Sequence, residues 1–362
     1  MFVEKLTLYN FRNFKEFSTN FSNQVNFIIG GNAQGKTNLI EAINLISTTH
    51  SFRTSTIKDL VNLGQTEMSV CLNLIDNNGK QELCFSYSQD GRKQYVNGEK
   101  KSATEFISRL CCVVFTPTDL GLIKGTPEGR RKFIDRHIAD IDNSFIKNLL
   151  EYNRALKSKN IILKSPNPNT QMLQVWNELM AKTAIKINNA RKSFLTRLEE
   201  TANETHKVFS SQDGLLSLKL KSNVNSKEDL SEDKLLEIFN KNLQKEVVMQ
   251  SCLIGPHRDD IIIKIGDRDV KAFASQGQTR SVVLSLKLGV INILEKDRQD
   301  HPILLLDDVD SELDEYRRKE FFEYILSSPR QVFITGTNAD IVKLYSSTCQ
   351  KMYLKNGVLV KA

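Results

Sequence analysis

The chain has 362 residues, with 50 Lys and Arg against 43 Asp and Glu and a net charge of +7. Hydrophobic residues make up 40% and charged residues 26%. That is the balance of a soluble globular protein, and it excludes a mostly disordered polypeptide, a collagen and a disulfide miniprotein. The length suits two domains, or one with an insertion, and the modest basic excess permits a nucleic-acid partner without requiring one.

No window approaches the roughly 18 uninterrupted apolar residues of a membrane span. The N-terminal MFVEKLTLYNF lacks the apolar core of a signal peptide. A soluble, cytoplasmic protein is expected. The six cysteines, Cys71, Cys84, Cys111, Cys112, Cys252 and Cys349, show no CxxC spacing. Neither a zinc site nor a disulfide framework is expected, and the cysteines read as buried thiols in a reducing compartment.

In chain order, Val3, Leu6 and Leu8 mark a short strand, and VNFII at Val25 to Ile29 marks a buried one. Leu39, Ile40, Ile43 and Ile46 recur at helical spacing from Thr37 to Ser47. Met68 to Tyr95 alternates apolar and polar residues around Asn77-Asn78-Gly79 and Asp90-Gly91, which predicts an antiparallel meander. Cys111 to Phe115 is a further apolar strand. From Thr126 to about Ser251 the chain reads as mostly helical. Thr126-Pro127-Glu128 is a helix start, Ser165 to Asn169 a break, and Gln171 to Phe209 one long amphipathic helix of about 55 Å at 1.5 Å per residue. Its polar face carries Lys182, Lys186, Arg191, Lys192 and Arg197, read as solvated, with a phosphate-contacting face as the alternative. Lys221 to Asp233 reads as a polar loop. Asp260 to Ile265 is a strand, Thr279 to about Lys296 a helix, and Ile303 to Leu306 and Gln331 to Thr335 are buried strands. The expected architecture is an α/β head formed by residues 1–125 and 252–362, with a mainly helical domain, 126–251, inserted.

Three motifs carry chemistry. Gly30-Gly31-Asn32-Ala33-Gln34-Gly35-Lys36-Thr37 fits G-x-x-x-x-G-K-[ST] between a strand and a helix, with Asn38 following. Glycines let backbone N–H groups face phosphates, Lys36 offers a charge to the β and γ phosphates, and Thr37 offers a hydroxyl to Mg²⁺. This points to nucleoside triphosphate binding. The strand Ile303 to Leu306 ends in Asp307-Asp308. An acid there can hold Mg²⁺ beside a phosphate loop, so Asp307 is assigned to the metal and Asp308 to the attacking water. Ser275-Gln276-Gly277-Gln278 is a small polar loop ahead of a helix, which reads as an anion site or as an ordinary capped helix start. His257 with Asp259 and Asp260 reads as a hydrogen-bonded turn rather than a metal site, since no further histidine is near.

The order of phosphate loop, serine–glycine loop, acidic strand end and Ser311-Glu312-Leu313-Asp314 resembles the ATP-binding-cassette ATPases. Without a transporter-type LSGGQ, it is similar to their chromosome-maintenance, SMC-like branch. Within that branch the chain resembles the RecF family. The residues that carry this are Asn10 to Phe14, GGNAQGKTNLIEAI, VVFTPTDLGLIKGTPEGRRKFID from Val113, GPHRDD from Gly255, FASQGQTRS from Phe273 and LLLDDVDSELD from Leu304. An SMC protein proper needs hundreds of residues of heptad coiled coil, and the insert is only about 125 residues long.

The resemblance implies a P-loop (ABC-type) ATPase head that forms a homodimer on ATP and Mg²⁺. Lys36 and Thr37 of one subunit and Ser275 and Gly277 of the other hold each nucleotide, and Arg12 contacts its phosphates. It further implies an ATP-driven clamp on double-stranded or gapped DNA, with single-stranded DNA nearby, and slow hydrolysis as release. The ATPase would be weak, DNA-stimulated and switch-like. RecR and RecO would be partners, RecA an indirect one, and the location the nucleoid. Three positions depart from the pattern. Ala33 stands where glycine is frequent, Asp308 stands where transporters have glutamate, and Thr335 and Thr337 lie where transporters have a histidine. The alternatives are an ATPase subunit of a membrane transporter and a small-molecule kinase.

Overall fold

In this computed structural model the chain divides into two units, Met1–Asp119 with Ile291–Ala362, and Leu120–Val290. The described residues are 1–77, 79–209, 214–224, 231–309, 313–337 and 349–360. In chain order the first unit opens with β1 (Phe2–Phe11), β2 (Phe14–Asn20), β3 (Val25–Ile29), α1 (Lys36–Thr48), β4 (Met68–Asp76), β5 (Gly79–Ser88), β6 (Gly91–Val96), β7 (Glu99–Lys101), α2 (Ala103–Phe106) and β8 (Cys112–Phe115). The second contains α3 (Gly121–Lys124), α4 (Pro127–Ile141), α5 (Asn143–Leu163), α6 (Thr170–Phe209), β9 (Leu216–Lys221), α7 (Glu232–Met249), β10 (Asp260–Ile265), β11 (Arg268–Asp269) and α8 (Val270–Phe273). The helix α9 (Gln276–Arg298) follows, and the first unit resumes with β12 (Ile303–Leu306), α10 (Glu315–Leu326), β13 (Val332–Gly336), β14 (Gln350–Lys355) and β15 (Val358–Val360).

The first unit is two sheets with a helix between them. Alternation along β4 and β5 buries Met68, Val70, Leu72 and Leu74, and Leu83 and Phe85, on one face of an antiparallel sheet ordered β2-β1-β4-β5-β6-β7. The second sheet, β15-β14-β3-β13-β12-β8, is parallel from β14 to β8. Its central strands β12 and β13 are buried along their whole length, because both faces are covered. Every residue of α1 from Leu39 to Ser47 is buried. The helix touches β4 and β5 of one sheet and β12 and β13 of the other, so apolar residues prevail all round it and its buried polar ones, Glu41, Asn44 and Ser47, are hydrogen-bonded. The predicted meander is β4–β6, although Asn78 of its first turn lies outside the described residues.

One expectation fails here. Cys71 and Cys84 are direct partners in the β4–β5 register, with Cα atoms 4.1 Å apart, and form a disulfide. Hairpin register, which CxxC spacing does not encode, brings them together. Cys111, Cys112 and Cys252 are buried outside disulfides, as expected.

The second unit is more than a helical insert. It takes in residues 252–290, assigned to the head by sequence, because β10 pairs antiparallel with β9 to form a sheet ordered β11-β10-β9. The strand β9 was not expected within a helical block. Thr126 caps α4 with Pro127 in its first turn, and the break after α5 falls at Ser165 to Asn169. The polar stretch 221–233 is cut short by Ser231, which caps α7. Arg191 does not belong to the solvated face of α6. It is buried, paired with Asp135 at 2.7 Å, and donates to the Pro256 carbonyl.

The GPHRDD segment is a structural turn. The Tyr152 hydroxyl donates to His257 Nδ1 at 2.6 Å, and the opposite ring nitrogen meets the Cys252 carbonyl. Burial pushes His257 down to about 4, so the ring is neutral with Nε2 carrying the proton, and burial holds the Tyr152 phenol well above its usual range. Gly255 sits at φ 133°, where a Cβ would run into the Tyr152 hydroxyl. Among the described residues no group of three His, Cys, Asp or Glu is arranged to hold a metal. Likewise no helix there is long and apolar enough to cross a membrane.

Lys159 of α5 and Glu246 of α7 form an ion pair at 2.6 Å with both side chains fully buried. Breaking one half leaves an uncompensated charge, whereas replacing both restores an apolar contact. Lys159→Met is expected to destabilise this unit by about 3–5 kcal/mol, and Lys159→Met with Glu246→Leu to recover most of that loss. Urea unfolding of the single and double variants measures both.

Candidate nucleotide-binding site

The site is assembled at the carboxyl edge of the parallel sheet, where β3 gives way to α1. Two glycines in the connecting loop are fixed for different reasons. A Cβ on Gly30 would lie 2.5 Å from the Leu354 carbonyl oxygen. Gly35 has φ 108°, and a Cβ there would meet the Asn13 amide at 2.7 Å. Gly31 is under no such restriction, its nearest neighbour being Gln34 Cγ at 3.9 Å. Ala33 adopts φ 62°, a left-handed conformation that costs an alanine more than a glycine, so this position carries strain.

The loop is braced from two sides. Asn13, in the β1–β2 turn, donates to the Gln34 carbonyl at 3.2 Å and accepts from Asn38 Nδ2 at 2.8 Å. The Asn356 and Gly357 amides donate to the Gln34 side chain and carbonyl at 2.5 and 3.2 Å. Gln34 Nε2 reaches the Asn32 carbonyl. No side chain caps α1 and no acid lies in its first turn, so its N-terminal dipole end is left for an anion.

Lys36 Nζ donates to the Gly30 and Gly31 carbonyls at 2.6 and 2.8 Å. Burial lowers its pKa, against the opposing pull of Asp308 and Asp307. The Thr37 hydroxyl donates to Asp307 Oδ1 at 2.8 Å, and so does the Thr335 hydroxyl, also at 2.8 Å. The Thr335 oxygen in turn accepts the Asp308 N–H at 2.9 Å. Register explains the meeting, because β13 lies between β3 and β12, with Thr335 opposite Ile28 and Ile334 opposite Leu306. Asp307 is nearly buried, and burial raises its pKa more than the two hydroxyls lower it. Asp308 holds a left-handed φ of 51° at the strand end, and such backbone strain is characteristic of reactive positions. The sequence left Thr335 without a firm role. Its place opposite β3 makes it the link between the two aspartates.

Arg12, at φ 52°, makes a bidentate pair with Glu41 at 2.8 and 2.6 Å and donates to the Asp59 carbonyl at 2.9 Å. Glu41 is fully buried in α1 and also meets Ser51 and Arg53. Arg53 was not singled out by sequence. It is half exposed, donates to Asn38 at 2.7 Å, and its charge is felt at Asp307. Nothing but proximity in three dimensions marks it out from other surface arginines.

Ser275 to Gln278 lie in the other unit. The Gln278 N–H donates to Ser275 Oγ at 3.2 Å and the Ser275 N–H donates to Gln278 Oε1 at 3.1 Å, a reciprocal capping box. The helix therefore starts at Gln276, one turn before Thr279. Ser311 and Glu312 lie outside the described residues, while Asp314 caps α10.

This combination of glycine loop, lysine, threonine and strand-end aspartates defines a P-loop ATPase head, and residues 2–359 match the family model RecF/RecN/SMC N terminal domain. A "DNA replication and repair protein RecF" of Macrococcus caseolyticus is 40% identical, over 94% of this chain and 94% of that protein. The protein of the same name from Streptococcus thermophilus (strain LMG 18311) is 36% identical over 99% and 98%. A solved structure described as that of "the recombination mediator protein RecF-ATP in RecFOR pathway" superposes with a TM-score of 0.90 at 32% identity, covering 99% of this chain and 97% of the other. The chain belongs to the RecF family.

Two variants test the site's physical chemistry. Since folding raises the Asp307 pKa, its ionisation costs stability at pH above the unfolded value and that cost fades on acidification. Asp307→Asn is therefore expected to leave Tm at pH 7.5 equal to or above that of the parent, and the difference to shrink toward pH 4, by scanning calorimetry. Ala33→Gly relieves the left-handed strain and is expected to stabilise the first unit by about 0.5–1 kcal/mol in chemical denaturation.

Proposed function

We propose that the chain is an ATP-switched DNA-binding protein of replication and recombinational repair. The observation that carries this reading is the cluster of Thr37, Asp307, Thr335 and Asp308 beside a loop closed by Lys36. Its similarity to RecF proteins over nearly its whole length supports the biological setting.

The chain's own groups suggest the sequence of events. Lys36 leaves the Gly30 and Gly31 carbonyls for the β and γ phosphates, and the open amides at the start of α1 receive the same anion. Thr37 Oγ1 and Asp307 Oδ1 are adjacent hard oxygen donors suited to Mg²⁺, which when bound neutralises charge on the phosphate oxygens. Asp308, set by the Thr335 hydroxyl, orients the attacking water, and its short side chain favours slow turnover. Ser275 and Gly277 of a second copy complete the nucleotide shell, so ATP joins two heads and hydrolysis parts them. Arg12 acts mainly by holding Glu41 and the start of α1, in addition to any phosphate contact. The joined heads hold double-stranded or gapped DNA. RecR and RecO are the partners that fit a RecF-family protein, RecA follows indirectly, and the setting is the cytoplasmic nucleoid.

Sedimentation with ATP and a short duplex tests this. The parent chain is expected to dimerise on DNA only with ATP. Asp308→Asn should lengthen the dimer's lifetime by about 10-fold or more, and Lys36→Ala and Ser275→Arg should abolish it. A chain that binds ATP yet stays monomeric and ignores DNA sinks the reading.

A further inference from the structure

Phe273 is the one exposed phenylalanine of 19, with 74% of its surface open to solvent, whereas the other 18 are buried or half-buried. A lone exposed aliphatic residue needs no explanation, but a large aromatic held out from a rigid mount is a different observation. The mount is α8 and the turn after it. Val270 is buried beneath it, and the Asp269 carboxylate caps it by accepting the Lys271 and Ala272 N–H groups at 2.8 and 3.4 Å. On the far side, Lys124 Nζ donates to the Lys271 and Ala274 carbonyls at 3.2 and 3.3 Å, and Lys271 Nζ returns to the Gly125 carbonyl at 3.1 Å. The backbone on both sides of Phe273 is therefore pinned, and the ring is presented rather than loose.

Sequence position says what it is presented to. Phe273 lies two residues before Ser275, so its Cα is within about 7 Å of the serine's. Whatever meets Ser275 and Gly277 across an interface is also within reach of the ring. An exposed aromatic on a pre-organised segment has the properties of a binding hot spot, with large apolar area and little entropy left to lose.

We propose that Phe273 is the apolar anchor of the nucleotide-dependent interface, inserting against a second copy of this chain. The proposal rests on the ATP-driven dimer described above and adds what that reading lacks. Phosphate contacts supply the switch, but charge alone gives little affinity between two solvated faces. A buried ring supplies affinity that is constant, so the nucleotide has only to decide whether the faces can meet. It follows that loss of the ring weakens the dimer without touching nucleotide binding by a single head.

The test compares the parent with Phe273→Ala, Phe273→Leu and Ser275→Arg by sedimentation velocity in saturating ATP and Mg²⁺ with a short duplex, whose affinity is titrated in parallel, alongside calorimetric ATP binding without DNA at concentrations where each chain is monomeric. Phe273→Ala is expected to raise the dimer Kd about 30-fold, the scale of a hot-spot side chain, with monomer ATP affinity within about 2-fold of the parent. Phe273→Leu, which keeps most of the apolar volume, should stay within about 3-fold. If Phe273→Ala dimerises like the parent while Ser275→Arg does not, the dimer reading stands and the anchor is wrong. If Phe273→Ala keeps the dimer but loses duplex affinity, the ring meets a base, and the proposal is overturned. If the parent does not dimerise, both fall together.

Discussion

One carboxylate oxygen organises the candidate site. Asp307 Oδ1 receives hydroxyl bonds from Thr37 at the start of α1 and from Thr335 at the end of β13, while its own backbone ends β12. Three segments far apart in sequence are thereby held to one point. The arrangement has a cost, since burial disfavours the charge, and two hydroxyl donors offset it only in part. An anionic oxygen poorly compensated by its surroundings is a good ligand for a small cation.

The same economy of buried charge recurs. Glu41 lies in the most enclosed helix of the first unit, and Arg12 and Arg53 approach it from the two segments that flank the phosphate loop's own helix. In the second unit Lys159 with Glu246, and Arg191 with Asp135, tie helices and the turn at Pro256 into one geometry. Such pairs contribute little net stability compared with apolar contacts of equal volume. They forbid alternative registers, because a helix that slips by one residue strands a charge in the core. Both units therefore hold their polar groups at fixed positions, which a site that must recognise phosphate oxygens requires.

How far the sequence could be read depended on whether the decisive information was local. The phosphate loop was legible because its glycines are dictated by contacts and dihedrals within a short segment, as at Gly30 and Gly35. Thr126 announced a helix start for the same reason, as a cap residue, whereas the cap at Ser231 was hidden in a stretch that read as a polar loop. What depended on pairing between distant strands was not legible. The Cys71–Cys84 disulfide needs the hairpin register, and the membership of β10 in the second unit needs β9 as its partner. Thr335 gains its place only from its neighbours across the sheet, and Arg191 reads as a surface residue until Asp135 is brought to it. Even Ser275 had a local meaning that its spacing to Gln278 carried, a capping box, beneath the role the family resemblance gave it.

The parallel sheet brings a consequence for biosynthesis. Its strand β3 is complete by Ile29, but the neighbours that flank it, β13 and β14, begin only at Val332 and Gln350. At roughly 5–20 residues per second of translation, those neighbours follow about 15–60 seconds later. During that interval α1 lacks β13, one of the strands it packs against in the finished fold. The nascent chain must therefore keep a largely apolar helix and the bare edges of β3 out of contact with other polypeptides until β13 and β14 are made. A chain cut before β13 lacks both neighbours of β3, and aggregation rather than a smaller working head is the natural result.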